Sequence, residues 1–242
     1  MSYVYDVLGI GNALVLLLIL ALLLRDSFRK FWVVLAYVAW ELFATAALTT
    51  IDVVYVGHAV GTAAYTEVTK SYNRLYWTND VIVDLLRFLL VIVLTHRATS
   101  QGAKRSSAGR ILGIVVVVVI VLPFLVFPLR FSPWPNAEWF NSTSELLNFG
   151  AAIMNLILWG ALIANRQRDR QFVAVSIGLG VVVTGAAVSY GLRHLFPPQA
   201  VFIPNLFLML TQLGGWIVWC RAFWPAPRRV AASDSALPSP SP

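Results

Sequence analysis

Seven stretches of this chain are long and apolar enough to cross a lipid bilayer. They cover about residues 7–24, 31–50, 73–95, 111–129, 143–164, 171–192 and 201–223. A helix needs roughly 20 apolar residues to cross about 30 Å of hydrocarbon. Since the hydrocarbon offers no water to backbone polar groups, each span must be an α-helix. The sequence therefore predicts an all-α, polytopic membrane protein with one seven-helix domain over residues 1–224.

The composition supports this fold class. Hydrophobic residues make up 59% of the 242 positions and charged residues only 12%, whereas a soluble domain carries about 25% charge. A membrane β-barrel would alternate apolar and polar residues, but the segment 114–121 is apolar without a break. Residues 225–242 are rich in Pro, Ser and Ala and predict a disordered tail. The tail is too short for a catalytic domain, so a signalling role would need a separate partner chain.

The basic residues fall on alternate connections. Thirteen Lys and Arg residues follow the first, third, fifth and seventh spans, four lie on the other connections, and Arg87 lies inside the third span. Because cytoplasmic loops are rich in Lys and Arg, we predict an external N-terminus and a cytoplasmic C-terminus in the cell inner (cytoplasmic) membrane. The net charge of +7 has the same origin, and no nucleic-acid partner is predicted.

Charged residues within the spans are the primary candidates for function. Steps of four and three residues place Tyr76, Asp80, Asp84 and Arg87 on one face of the third span. Glu41 lies at a similar depth in the second span. An ionised group at the bilayer centre costs at least about 2.5–3.5 kcal/mol, so these side chains must face the bundle interior. Arg87 can offset one carboxylate, which leaves surplus acid for a proton, a small cation or an amine.

Uncharged polar residues extend this candidate site. The predicted secondary lining consists of Tyr76, Asn148, Asn155 and Gln212, on the third, fifth and seventh spans. Together with the acids they predict a polar cavity that opens outward. No cofactor is predicted, and the three histidines and the single cysteine lack the spacing of a metal site.

Two local patterns predict how individual spans begin or pack. Ser142 followed by Glu145 predicts a capping box that opens the fifth span. The sixth span carries four glycines, and small residues let transmembrane helices approach closely. We therefore expect the sixth span to pack tightly. These glycines are Gly178, Gly180, Gly185 and Gly191.

Known seven-helix families narrow the choice of function. The last span lacks the lysine of a retinal protein and the paired histidines of ceramidase-related hydrolases, and 94–97 is not the receptor signature of helix three. The segment that begins Tyr72-x-x-x-Tyr76-Trp77, together with Trp216–Arg221, resembles bacterial seven-helix integral membrane proteins of unassigned function. This resemblance covers the general layout of the chain and implies no activity.

Three functions remain open at this point. The first is a receptor-like or transport-like bundle in which Glu41, Asp80, Asp84 and Arg87 form a proton- or cation-linked site. The second is a non-catalytic accessory or structural subunit whose polar groups only hold helices together. The third is a membrane-embedded hydrolase with Asp80 or Glu41 as general base. Beyond the lipid bilayer, partners of the first function would be a proton, small cation or amine and a separate membrane or cytoplasmic chain.

Overall fold

The structure is a computed structural model that describes residues 2–61, 64–99, 137–165, 169–197 and 200–225, with six further residues between 113 and 125. All regular secondary structure in these ranges is helical, which confirms the all-α prediction. The long helices are α1 (Ser2–Leu22), α2 (Trp32–Ile51), α3 (Tyr65–Thr99), α4 (Ala137–Ala164), α5 (Arg170–Arg193) and α6 (Phe202–Phe223). Five of them, all except α3, are long and apolar enough to cross a membrane.

The helix that carries most of the charged candidates is also the longest. α3 has 35 residues, which is about 52 Å at 1.5 Å per residue. It begins eight residues before the predicted start at 73, because much of the predicted connection between the second and third spans is helical. α2 continues through a π-helical turn at Asp52–Val56 and a short turn at Gly57–Ala59. α3 differs from the five apolar helices because it contains many polar and charged residues.

Two predictions fall partly or wholly outside the described residues. Of the predicted fourth span, 111–129, only scattered residues are described, and all of these are helical and exposed: Gly113, Ile114, Val117, Val118, Val121 and Leu125. The predicted tail lies outside the described residues from position 226 onward.

The capping-box prediction at the start of the fifth span is wrong. α4 begins at Ala137, so Ser142 lies more than one turn inside the helix, where the backbone N–H groups already have partners. Glu145 instead pairs with His194, with 3.0 Å between Oε2 and Nε2. The pattern failed because the helix extends into the polar, aromatic segment before the apolar span.

The six long helices form a closed ring. Each helix packs against the next one in the sequence, and α6 returns to pack against α1. The interior is filled by large side chains that are almost fully buried, among them Tyr37, Phe88, Leu158, Leu179 and Trp219. Tyr37 of α2 and Trp219 of α6 meet edge to face across the ring, with 5.9 Å between ring centroids.

α5 and α6 approach each other closely. A Cβ added to Gly178 would lie 2.7 Å from the carbonyl oxygen of Gly215 and 2.4 Å from the ring of Trp219. The Trp219 indole N–H donates to the carbonyl oxygen of Val175 at 2.8 Å. Because only glycine leaves room for this contact, the prediction that the glycine-rich span packs tightly is confirmed.

Basic side chains join several helices at one end of the ring, which we call the Lys30 end. Arg97 at the end of α3 donates to the carbonyl oxygen of Lys30 at 2.6 Å. The Lys30 ammonium lies 2.7 Å from the carboxylate of Asp169, which caps the start of α5. Asn165, just beyond α4, donates to the carbonyl oxygen of Ala98 at 2.8 Å. The opposite end, where α5 terminates, is the His194 end.

Candidate functional site

A buried arginine is the centre of the charged cluster. Arg87 donates through Nη1 to Asp84 Oδ1 at 2.9 Å and through Nη2 to Glu41 Oε1 at 3.3 Å. Its side chain is only 4% exposed, that of Asp84 is 0% and that of Glu41 is 12%. One guanidinium in the ring interior therefore joins carboxylates from two helices, α2 and α3. The sequence prediction that these three side chains face one another is consistent with this arrangement.

Tyr37 completes the contacts of this arginine and was not among the sequence candidates. Its hydroxyl donates to Glu41 Oε1 at 2.7 Å and accepts from Arg87 Nε at 3.1 Å. A signal for it does exist in the sequence, since Tyr37 lies four residues before Glu41 and so shares its helix face. Through its ring contact with Trp219, Tyr37 also couples the cluster to α6.

In the described contacts, Asp80 pairs with a tyrosine of α5 and not with Arg87. Tyr190 of α5 donates its hydroxyl to Asp80 Oδ2 at 2.5 Å. The guanidinium of Arg193 lies over the Tyr190 ring at 4.3 Å, and it donates to Asn205 of α6 at 2.9 Å. Sequence reasoning missed Tyr190, although it is the only tyrosine in α5 and precedes Arg193 by one turn.

The second oxygen of Asp84 faces α4. Ser144 and Asn148, one turn apart on α4, lie close enough to the Asp84 carboxylate to donate hydrogen bonds to it, and the charge of Asp80 also acts on it. No contact there has hydrogen-bond geometry among the described residues, so Asp84 Oδ2, Ser144 Oγ and Asn148 Oδ1 are unpartnered. All three residues are 1% exposed. An unpaired buried polar atom costs about 1–3 kcal/mol, which makes this the least satisfied part of the cluster.

The other predicted lining residues are dispersed. Tyr76 is 49% exposed and lies at the edge of the cluster, in the electrostatic environment of Asp80 and Arg193. Asn155 is buried, but it lies seven residues, or about 10 Å, beyond Asn148 along α4 and faces Gly180 of α5. Gln212 is half-buried on α6, which packs mainly against α5 and α1. Of the predicted lining, Asn148 alone among these four faces the Arg87 cluster in the described contacts.

One additional link, also absent from the prediction, supports the cluster. Trp40 of α2 donates its indole N–H to Asn79 of α3 at 3.2 Å. It fixes the two helices beside the Glu41–Arg87 contact. Within the described ranges, no group of three or more His, Cys, Asp or Glu residues is placed to hold a metal ion.

The charges of the cluster do not balance. Asp84 and Glu41 share the single guanidinium of Arg87, and Asp80 adds a third carboxylate one turn away. Arg193 lies on the far side of Tyr190, near the His194 end. If all groups are ionised, the Arg87 contacts carry one surplus negative charge. A carboxylate in such surroundings favours either a bound proton or a second cation.

Comparison of this chain with models of known protein families, with curated proteins and with solved structures finds no match. Its function is therefore inferred from the geometry and chemistry of the charged cluster.

Proposed function

We propose that the protein is an integral, multi-pass protein of the cell inner membrane with seven transmembrane helices, an external N-terminus and a cytoplasmic C-terminus. The six long helices and the apolar segment 111–129 together supply the seven spans. Large apolar side chains on outward faces support a lipid environment, since Phe43, Leu156 and Ile163 are 65%, 72% and 73% exposed. Lys30 and Arg97 at the Lys30 end agree with a cytoplasmic location for that end.

The bundle acts as a receptor-like or transport-like protein with a proton- or cation-linked site formed by Glu41, Asp80, Asp84 and Arg87. The observation that carries this proposal is the sharing of one buried guanidinium between two carboxylates, with a third carboxylate one turn away. Ionisable groups at membrane depth are costly and mark ion or proton pathways. Helix association alone would be served by uncharged polar groups.

Protonation provides a physical link between this cluster and helix positions. A proton on Asp84 would remove its negative charge and weaken its contact with Arg87, leaving the guanidinium to Glu41 and Tyr37. These two lie on α2, whereas Asp84 lies on α3, so the change alters what holds the two helices together. The Tyr37–Trp219 contact extends the effect to α6. A ligand that favours one protonation state then shifts the helix arrangement by its difference in affinity for the two states.

A structural accessory subunit is the second candidate, and one observation favours it. Three contacts hold α2 against α3, as a purely stabilising network would. They join Arg87 to Tyr37, Arg87 to Glu41, and Trp40 to Asn79. A hydrolase has less support, because in the described contacts the two candidate bases pair with tyrosine or arginine and not with a nucleophile: Asp80 with Tyr190, and Glu41 with Tyr37 and Arg87. The surplus carboxylate beside Arg87 favours the first candidate over the second, since a network that only holds helices together gains nothing from an unbalanced buried charge.

Asp84→Asn tests the proposal, because it keeps the side-chain volume and removes the charge. The purified protein, in detergent at low buffer strength, is titrated between about pH 8 and pH 5 while proton uptake and tryptophan fluorescence are recorded. We expect a proton-uptake step with a fluorescence change in the wild type, and its loss in a folded Asp84→Asn variant. Glu67→Gln, at an exposed acid in the first turn of the same helix, is the matched control and should behave like the wild type.

The opposite result would favour the structural subunit. If Asp84→Asn prevents assembly of the bundle and the wild type shows no pH-dependent change, the acids serve only to hold helices together.

A further inference from the structure

We infer that the Arg87 cluster exchanges protons with one side of the membrane only, the side of the His194 end, and that protons enter through Asp80. This inference rests on the proposed function and names the access side and the entry residue of the same site. Two features of the molecule support it. Burial increases along α3 from the His194 end inward, and the half of the bundle toward the Lys30 end has no acidic or basic side chain.

The increase in burial follows one face of α3. Tyr76 is 49% exposed, Asp80 one turn later is partly exposed, and Asp84 after a further turn is 1% exposed. Residues four apart on a helix have Cβ atoms about 5–6 Å apart, and the charge of Asp80 acts on the Asp84 carboxyl. Asp80 therefore lies between the buried Asp84 and the His194 end.

A tyrosine of α5 holds Asp80 in this position. The Tyr190 hydroxyl donates to Asp80 Oδ2, and the charge of Asp84 also acts on Tyr190, so the tyrosine lies near both acids. Arg193, in the last turn of α5, covers the Tyr190 ring at 4.3 Å. A proton from the His194 side binds the Asp80 carboxylate and passes to the Asp84 carboxylate, which returns Asp80 to its ionised form.

The half of the bundle between the cluster and the Lys30 end lacks such carriers. The described helices cover this half with segments that contain no Asp, Glu, His, Lys or Arg, and the predicted fourth span, 111–129, contains none either. The helical segments are 7–22 of α1, 32–36 of α2, 88–95 of α3, 149–164 of α4, 171–189 of α5 and 206–220 of α6. Proton pathways through membranes use chains of Asp, Glu and His, so protons have no such path from the Lys30 end.

Close packing opposes a water chain in the same half. Phe88 and Val91, directly after Arg87 on α3, are at most 1% exposed, as are Leu158 of α4 and Leu179 of α5. Protein interiors packed in this way contain few voids larger than a water molecule. A continuous line of water from the Lys30 end to Arg87 is therefore not expected.

The charges around the two acids also favour entry from the His194 end. The titratable and charged groups near Asp80 and Asp84 are Tyr76 and Arg87 on α3, Glu41 and Tyr37 on α2, and Tyr190 and Arg193 on α5, whereas α4 contributes the uncharged Ser144 and Asn148. Arg87 lies three residues beyond Asp84 toward the Lys30 end, so its charge faces any cation that arrives from there. A buried arginine is an electrostatic barrier to protons and cations.

Sealed phosphatidylcholine vesicles that contain the full-length protein separate the two sides. Two reporter variants, both with Cys220→Ala, carry a cysteine at opposite ends: Leu195→Cys at the His194 end and Phe28→Cys at the Lys30 end. The two positions are 78% and 50% exposed. A membrane-impermeant maleimide dye that accepts energy from tryptophan labels only cysteines that face outward, so each variant reports molecules of one orientation.

The external pH is lowered from about 8 to about 5 while the vesicle interior stays at about pH 8. In labelled Leu195→Cys, we expect the fluorescence change that Asp84→Asn abolishes to follow the external acid at once. In labelled Phe28→Cys, it should follow only after a protonophore admits protons to the interior. Equal responses of the two variants, or the reverse order, would overturn the inference.

The rate of proton uptake in detergent tests Asp80 as the entry residue. In Asp80→Asn the uptake should be slower by about 10²-fold, the lower end of what a positioned proton carrier contributes, but it should still run to completion because Asp84 is retained. Asp169→Asn is the matched control, since this acid lies at the Lys30 end, and it should keep the wild-type rate. An unchanged rate in Asp80→Asn would contradict entry through Asp80, as would complete loss of the uptake step.

The vesicle experiment leaves Asp80 intact, so the access side stays testable if Asp80→Asn does not fold. Failure of the inference and of the proposed function can be told apart. A wild type that takes up protons at Asp84 from the Lys30 side or from both sides refutes the one-sided access and keeps the proton-linked cluster. A wild type without any proton-uptake step refutes both.

Discussion

The α5–α6 contact and the Arg87 cluster join helices in opposite ways. Between α5 and α6, glycines bring the backbones together, and two side chains donate to carbonyl oxygens: Trp219 to Val175, and Ser189 to Pro204 at 2.7 Å. In the Arg87 cluster, two carboxylates share one guanidinium and the α4 side of Asp84 has unpaired oxygens. The first contact is close-packed and uncharged, and the second is charged and incompletely paired.

Stabilisation of the fold explains the α5–α6 contact, but it does not explain the Arg87 cluster. Small residues and paired hydroxyls are the usual means by which transmembrane helices associate. A surplus charge and unpaired buried oxygens destabilise the fold, and such local conflicts are expected at functional sites. A functional role is therefore expected of Asp84 and its neighbours rather than of the glycine-rich contact.

Removal of Arg87 should have the largest effect on the stability of the fold. Arg87→Met leaves Asp84 and Glu41 buried without a cation, and loss of one partner of a buried pair costs about 3–5 kcal/mol. We expect a strongly reduced unfolding temperature in detergent at neutral pH. The triple variant Arg87→Met, Asp84→Asn, Glu41→Gln should recover most of the loss, because no uncompensated charge remains. A mild effect of Arg87→Met alone would show that the carboxylates are already protonated.

Gly178→Ala tests the other side of the comparison. The added Cβ meets the Gly215 carbonyl oxygen and the Trp219 ring at distances that no real contact shows, and overpacking of this kind costs about 1–3 kcal/mol. Gly160→Ala is the control, because nothing lies within 4 Å of its Cβ position. That variant should be neutral or stabilised by up to about 1 kcal/mol, since alanine is the better helix former. Chemical unfolding in detergent measures both, and equal stability of the two variants would contradict the close approach.

Tyr190→Phe probes the link between Asp80 and α5 with a smaller change. The variant removes the hydroxyl that donates to Asp80 but keeps the ring beneath Arg193. We expect a loss of about 1 kcal/mol, within the range measured for hydrogen bonds between transmembrane helices. Chemical unfolding in detergent measures the loss, and equal stability of Tyr190→Phe and the wild type would contradict the hydrogen bond to Asp80.

The smallest expected effect on stability comes from Asp169 at the Lys30 end, outside the Arg87 cluster. Partial burial raises the pKa of the Asp169 carboxyl. Hydrogen bonds from Lys30 and from the backbone N–H groups of Phe172 and Gln171 lower it, as does the charge of Lys30. These effects outweigh burial, so the pKa of Asp169 lies below its usual 3.8. The stabilisation is therefore complete above about pH 4 and is lost as the pH falls through the lowered pKa. Its size is limited, because the Asp169 side chain is 36% exposed.

Two substitutions separate the contributions of Asp169. Asp169→Ala removes both the helix cap and the ion pair and should cost about 1 kcal/mol at neutral pH. Asp169→Asn keeps a capping side chain and should cost only a few tenths of a kcal/mol. Unfolding measured at neutral pH and below pH 4 should bring the wild type and Asp169→Ala closer together at the acidic value, and a constant difference would contradict the lowered pKa.

The sequence predicted helix ends accurately where neighbouring residues alone determine them. The predicted spans 171–192 and 201–223 agree within one residue with α5 and α6, because apolar runs bounded by polar residues define their own ends. The starts of α3 and α4 were placed too late. Helices continue past the apolar region whenever polar residues can remain helical, and hydropathy does not report that continuation.

The same distinction holds for the charged cluster, where spacing along one helix was predictable and partners from other helices were not. The spacing of Asp80, Asp84 and Arg87 on one helix face is a property of the α-helix, so the sequence alone determined it, as it determined the all-α fold and the need to bury these charges. The partners from other helices depend on how the ring closes. Only the tertiary structure decided these partners, because contacts between distant segments follow from packing and not from a local pattern. It brings Tyr37 and Glu41 to Arg87, Tyr190 to Asp80 and Ser144 to Asp84.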